Sequence, residues 1–199
     1  QNNYSILIPP YKLDYDNWRL SKAQDYLQWY VKNMPSRAEY VTKKAIGECN
    51  LNAPINPTIL INVWKWFLKN AIIEFMPNDV IAGERKNFGN FGESFIADER
   101  FSVNTEYIIR DISMLVSFIF TINHNTLFWD IITKPKKHIF YMQPVLKGFV
   151  NTSYGKPFKD SFQPEHMVYV QAAKLLPDDG KVCAAENDLY NLYKRWEND

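Results

Sequence analysis

The chain has 199 residues, of which 46% are hydrophobic and 23% are charged, and this composition is typical of one globular domain with an ordinary surface. Its 23 basic and 22 acidic residues give a formal net charge of +1, so the chain lacks the excess positive charge with which nucleic-acid binders neutralise phosphates. We therefore expect no nucleic-acid partner.

Three helices are predicted in the first part of the chain. Ser21 and Gln24 have the spacing of a capping box, which predicts a helix that Pro35 ends. A second capping box follows directly and predicts a helix over residues 36–46. Apolar residues at helical spacing then predict a third helix over residues 57–75.

Residues 78–102 are predicted to be irregular, because glycine, charge and phenylalanine alternate there without a helical or strand period. A long loop inside a compact domain is often functional. Three of its carboxylates, Glu84, Glu93 and Asp98, could act as general acid and base if burial separated their pKa values. These three are the candidate catalytic residues of the chain.

The fourth predicted helix is almost entirely apolar. Ser102 or Asn104 is its expected N-cap, and the helix ends near residue 123. Its most apolar run, residues 112–122, is shorter than the roughly 20 residues that a membrane span requires. We therefore expect no membrane partner.

The second half continues with a small sheet and two helices. Aromatic and β-branched residues predict a meander of strands near 127–133, 139–142 and 145–150, and helices follow near 164–176 and 185–197. The predicted fold is α+β and predominantly helical, with about six helices and a small antiparallel β-meander between the fourth and fifth. We expect a single domain over residues 1–199. Within it we expect a helical sub-lobe at 20–76 and a core of helix and meander at 103–199.

Signatures of familiar chemistry are missing from this sequence. The glycines of residues 78–102 do not match the spacing of a phosphate-binding loop, and no histidine has a second His or Cys three or four residues away. We therefore expect no cofactor and no metal. Two widely separated cysteines favour a reducing compartment, and residues 1–5 show no signal-like pattern. The expected location is cytoplasmic.

The order of elements after residue 103 resembles that of known proteins. A long helix leads into a strand containing Trp129, a basic turn at 134–138, a strand headed by Pro144 and a helix headed by Pro164. This order resembles uncharacterised bacterial protein families of unknown function. Several small bacterial proteins of this style are immunity or accessory partners in toxin systems. The resemblance therefore implies a protein partner, and it implies no catalytic residue.

Two main functional hypotheses follow. With 12 Tyr, 13 Phe and 6 Trp the chain is rich in the residues that anchor protein interfaces. The first hypothesis is a non-enzymatic protein-binding or immunity-type accessory protein, with Trp18, Phe88, Phe91 and Phe95 as an exposed anchor for the partner. The alternative is an enzyme with a dispersed carboxylate site in the loop 83–100. A structural subunit of a larger assembly is a third option, and the sequence leaves the oligomeric state open.

Overall fold

A computed structural model describes residues 4–47, 55–87, 98–151, 158–177 and 181–197 of the chain. These residues form an α+β fold that is predominantly helical, as predicted. A short 3-10 turn, Tyr15–Asn17, precedes the first long helix. The helices of the described residues are α1 (Leu20–Ile46), α2 (Ile59–Asn70), α3 (Asn78–Asn87), α4 (Val103–Asn123), α5 (Pro164–Ala173) and α6 (Asp188–Glu197).

The strands form two small antiparallel sheets. In the first sheet a short strand after α2 pairs with a short strand before α4. The second sheet is a three-stranded meander between α4 and α5, where the sequence predicts one. The strands are β1 (Ile73–Phe75), β2 (Glu99–Phe101), β3 (Phe128–Ile131), β4 (Pro144–Asn151) and β5 (Phe158–Phe162).

The meander differs from the prediction in its strands. Residues 139–142 form hydrogen-bonded turns, because His138, Tyr141 and Gln143 each donate their N–H to the carbonyl three residues earlier. Their one strand-like pairing is an isolated bridge between Tyr141 and Ile132. The third strand is instead β5, which pairs with the outer edge of β4.

Helix α1 continues through Pro35, where two separate helices are predicted. Proline removes one backbone donor and usually kinks or ends a helix. Here Pro35 lies on the exposed side of the helix. Ser36 donates its hydroxyl to the Asn33 carbonyl at 2.9 Å, and Asn33 donates its side-chain amide to the Trp29 carbonyl at 2.7 Å. The buried face continues on both sides of the proline. Burial along the whole face therefore outweighs the local preference for a break.

Helix α2 ends at Asn70, five residues before its predicted end. The residues that follow are bound to the start of α4 instead. The Ile72 N–H donates to Thr105 Oγ1 at 2.9 Å, the Ile72 carbonyl accepts from the Ser102 N–H at 2.9 Å, and β1 pairs with β2. These long-range bonds replace the last turn of the predicted helix. Part of the region predicted to be irregular likewise forms α3 and β2.

Helix α4 lies at the centre of the fold. Ser102 is its N-cap and accepts a hydrogen bond from the Thr105 N–H at 3.2 Å. More than half of its residues are buried, against α1 on one side and α5 and the meander on the other. Within the described part of the chain, no helix combines the length and apolarity needed to cross a bilayer.

A buried ion pair links α1 to α4. The guanidinium of Arg37 donates to both carboxylate oxygens of Asp111, from Nε to Oδ1 at 2.9 Å and from Nη2 to Oδ2. Tyr4 donates its hydroxyl to the same Oδ2 at 2.7 Å. Burial raises the pKa of Asp111, and the hydrogen bonds from Arg37 and Tyr4 oppose that rise. Three donors therefore converge on one carboxylate in the core.

Replacing one partner of this pair should destabilise the protein strongly. We expect Arg37→Met to lower the free energy of unfolding by about 3–5 kcal/mol, because it leaves Asp111 buried without its counter-charge. Urea denaturation would measure this change. Glu39→Gln, which removes an exposed pair with Lys43, is the control and should change stability little. Equal effects of the two variants would contradict a structural role for the buried pair.

A second prediction concerns Gly148, where β4 has a bulge. Gly148 has φ of +113°, and a Cβ there would lie 2.7 Å from the Thr126 carbonyl oxygen. Gly148→Ala should therefore cost more than about 1 kcal/mol in thermal or urea unfolding. Gly83→Ala has open space in α3 and should instead stabilise by roughly 0.5–1 kcal/mol. A neutral Gly148→Ala variant would show that the bulge can relax.

Candidate functional site

The N-terminal strap, residues 4–18, is fixed at both ends. At its start Tyr4 bonds Asp111, and the Ser5 carbonyl accepts from Arg37 Nη2 at 2.7 Å. At its end Trp18 is 4% exposed, and its ring centroid lies 5.3 Å from that of Tyr26 on α1. The middle of the strap is therefore held in place over the helices by its two ends.

A cleft lies between the middle of the strap and helices α4 and α5. It consists of two adjoining cavities that share Leu13, Glu106 and Arg110. The strap cavity, of about 410 Å³, lies between strap residues 8–13 and the first turns of α4. The α5 cavity, of about 260 Å³, extends from Leu13 and the 3-10 turn to the beginning of α5.

Three helices contribute to a polar cluster beside the α5 cavity. Glu165 of α5 accepts a hydrogen bond from the Tyr26 hydroxyl at 2.5 Å and another from Arg110 Nε at 3.3 Å. Gln163 caps α5 by accepting from the His166 N–H, and Pro164 occupies the first helical position. The capped helix start therefore positions Glu165 opposite α1 and α4.

Two residues that line this cavity each have a buried polar atom without a described hydrogen-bond partner. Arg110 Nη1 and the Tyr15 hydroxyl are buried, and neither has a hydrogen-bond partner among the described residues. Burial opposes the charge of Arg110, but Glu165 raises the pKa of this guanidinium, so the side chain stays protonated. Burial also raises the pKa of Tyr15 and the nearby Tyr26 hydroxyl opposes that rise, but no acceptor among the described residues lies within hydrogen-bonding geometry, so the Tyr15 hydroxyl is neutral and can donate. The α5 cavity therefore has two unused donors.

The remaining titratable groups of the α5 cavity differ in charge. Glu106 lies one helical turn before Arg110 on α4 and is an exposed residue overall. Its carboxyl is partly buried, and this burial raises its pKa, while Arg110 and Arg100 act to lower it. Burial lowers the pKa of His166, which is therefore neutral at pH 7. Both signs of charge thus line the cleft. No group of three or more potential metal ligands occurs in the described ranges.

The residues proposed from sequence lie elsewhere or outside the described part of the chain. Trp18, the last residue of the strap, is buried in the core, so its ring is not on the surface. Asp98 is exposed just before β2, and its carbonyl accepts from the Met76 N–H at 2.8 Å. Glu84 lies in α3, where only its backbone is described. The candidates outside the described residues are Glu93, Phe88, Phe91 and Phe95.

Sequence reasoning missed the residues of the cleft. Arg110 and Asp111 are adjacent charged residues that directly precede the apolar run 112–122, and this was the available signal, because buried charges need partners. Glu165 directly follows the proline that begins α5 and was a second signal. Neither pattern could have shown that Arg110 and Glu165, 55 positions apart, lie within hydrogen-bonding distance.

Two tyrosines offer a matched test of this polar cluster. Tyr26→Phe should lower the free energy of unfolding by roughly 1.5–3 kcal/mol, because it removes a hydrogen bond to the charged Glu165. Tyr15→Phe should be neutral or slightly stabilising, because its hydroxyl is buried without a partner. Urea denaturation of both variants measures the difference. A Tyr15→Phe loss as large as that of Tyr26→Phe would mean that the Tyr15 hydroxyl is bonded in the free protein.

Comparison of the chain with protein-family models, with curated proteins and with solved structures gives no match. The chemistry of the cleft residues is therefore the basis on which a function is proposed for this protein.

Proposed function

We propose that this protein is a non-enzymatic protein-binding protein whose cleft accepts an extended segment of its partner. One observation carries the proposal: the strap cavity is a groove with exposed apolar residues on both of its walls. Ile8 on the strap is 70% exposed, and Val103 at the start of α4 is 62% exposed. Most residues that line this groove are apolar or aromatic, and Lys12, Glu106 and Arg110 add charge to it. Apolar surface bordered by polar residues is typical of interaction sites.

The composition of the groove supports the same proposal. Tyr11, Tyr107 and Arg110 line the strap cavity, and tyrosine and arginine are the residue types enriched at interface hot spots. The Arg110 guanidinium lies over the Tyr107 ring, 5.3 Å from its centroid, which restricts both side chains. Pro9 and Pro10 restrict the backbone of the opposite wall, because the proline ring fixes φ. Little ordering entropy would thus be lost on binding.

A finer form of the proposal is an immunity-type or accessory protein that binds a toxin in the cytoplasm. Its support is the order of elements after residue 103, together with Cys183, an exposed free thiol of the kind that persists in a reducing compartment. The alternative, an enzyme with carboxylates in residues 83–100, stays a prediction. Of its three carboxylates only Asp98 has a described side chain, and Asp98 lies outside both cavities of the cleft.

The proposal is tested by placing the same charge at two surface valines. Val103 lies on the rim of the cleft, whereas Val182, 58% exposed, follows the far end of α5. Val103→Glu should abolish capture of a specific partner from the native host, because a carboxylate would have to be desolvated against the partner's apolar contact. The Val182→Glu variant should retain that partner as the unmodified protein does.

Circular dichroism should show both variants folded, since glutamate is favourable in the first turn of α4 at position 103, and position 182 is exposed outside the helices. If Val103→Glu retains the partner as well as Val182→Glu does, the cleft is not the binding surface. If the unmodified protein retains no partner reproducibly, the protein-binding function itself is wrong.

A further inference from the structure

Arg110 has more donor capacity than its contacts use. A guanidinium has five N–H donors in a planar fork. The hydrogen bond from Nε to Glu165 is long, at 3.3 Å, while Nη1 is buried without a partner. The Arg110 side chain is only 11% exposed, so water cannot compensate fully for the missing acceptor. Leaving a buried charged donor unpaired is costly, and an incoming acceptor would recover that cost.

Tyr15 has the same deficit in the same cavity. Its hydroxyl is buried and unpaired, and Tyr15 and Arg110 both line the α5 cavity. We propose that the α5 cavity receives the carboxylate of a glutamate or aspartate side chain in the partner segment, with Arg110 Nη1 and the Tyr15 hydroxyl as its donors. This inference rests on the proposed function and adds the chemical class of the residue that is bound.

The two unused polar atoms favour a carboxylate over an ammonium group, because an ammonium group cannot accept a hydrogen bond from either of them. Each oxygen of Glu165 already accepts one hydrogen bond, from Tyr26 and from Arg110, and the Arg110 guanidinium partly neutralises the charge of this carboxylate. The cavity also lies at the N-terminal end of the ten-residue helix α5, where the helix dipole favours negative charge. Two lining carboxylates, Glu106 and Glu165, oppose an anion, and Arg110 is the cation that lies beside both of them.

The size of the cavity matches a single side chain. Pockets for whole small molecules usually measure roughly 300–1,000 Å³. The α5 cavity, at about 260 Å³, lies just below that range and adjoins the strap cavity through three shared residues. An extended segment in the strap cavity could therefore place one side chain in the α5 cavity.

Blocked tripeptides with a central Glu, Gln or Lys can test the inference in the full chain. Nitrogen-15 NMR would follow the Arg110 Nε–Hε signal during titration with acetyl-Gly-Glu-Gly-amide and its Gln and Lys analogues. We expect the Glu peptide to shift this signal saturably in the millimolar range and to bind about tenfold more tightly than either analogue, because only its side chain is ionised as an acceptor.

Two variants report the sign of the charge that the cavity prefers. Tyr15→Phe should weaken the Glu peptide about fivefold, since one donor is lost, and stability measured in parallel should stay unchanged. Glu106→Gln should tighten binding about twofold to fivefold, because it removes the opposing charge from an exposed position. The inference is overturned if the protein binds the Lys peptide most tightly and Glu106→Gln weakens that binding, because this result would identify a cation site. Equal binding of the Glu and Gln peptides, or no shift at about 50 mM, would overturn it too.

The two proposals fail separately. If Val103→Glu loses the partner but the Glu peptide leaves the Arg110 signal unchanged, the cleft binds a protein and the carboxylate assignment is wrong. If the Glu peptide binds as expected but Val103→Glu keeps its partner, the carboxylate comes from a source other than a segment seated across the strap cavity, and the cleft is not the surface that binds the partner.

Discussion

The Asp111 carboxylate is the point at which three parts of the chain are joined. It accepts hydrogen bonds from Arg37 of α1 and from Tyr4 of the N-terminal strap, while its own backbone belongs to α4. A buried ion pair adds little net stability, because desolvation offsets most of the attraction. Its partners are nonetheless strongly constrained in position. We infer that the pair selects the one arrangement of α1, α4 and strap in which no buried charge is left alone.

The rest of the interface between α1 and α4 follows the same logic. Tyr30 is fully buried and is hydrogen-bonded to Ser113 at 2.8 Å, and Tyr26 reaches across to Glu165 of α5. Polar groups buried in this way are normally satisfied in native proteins. Among the described residues, Arg110 Nη1, the Tyr15 hydroxyl and Thr42 Oγ1 are buried without a hydrogen-bond partner, and of these Arg110 and Tyr15 line the α5 cavity. The unpaired donors of the cleft are therefore the buried polar groups that an incoming ligand could satisfy.

The strap links the buried hydrogen-bond network to the cleft on the surface. Its anchored ends fix the position of its middle, and the middle provides one wall of the strap cavity. The other wall is α4, the most deeply buried helix of the described fold. A groove built between a tethered segment and a rigid helix is already ordered before a partner arrives, which lowers the entropic cost of binding. A protein-binding role is therefore physically consistent with how the cleft is built.

Local sequence patterns determined the fold class, α4 with Ser102 as one of its two expected N-caps, and the place of the meander between α4 and α5. Capping and periodicity act over a few residues, so they can be read from the sequence. The tertiary structure alone decided that α1 continues through Pro35 and that residues 73–75, which are predicted to be helical, form β1. Burial and strand pairing with distant residues override the local preference there. The tertiary structure also decided where the cleft forms and which residues line it. Tyr26 and Glu165 are 139 positions apart, and only the packing of α1, α4 and α5 brings their side chains together.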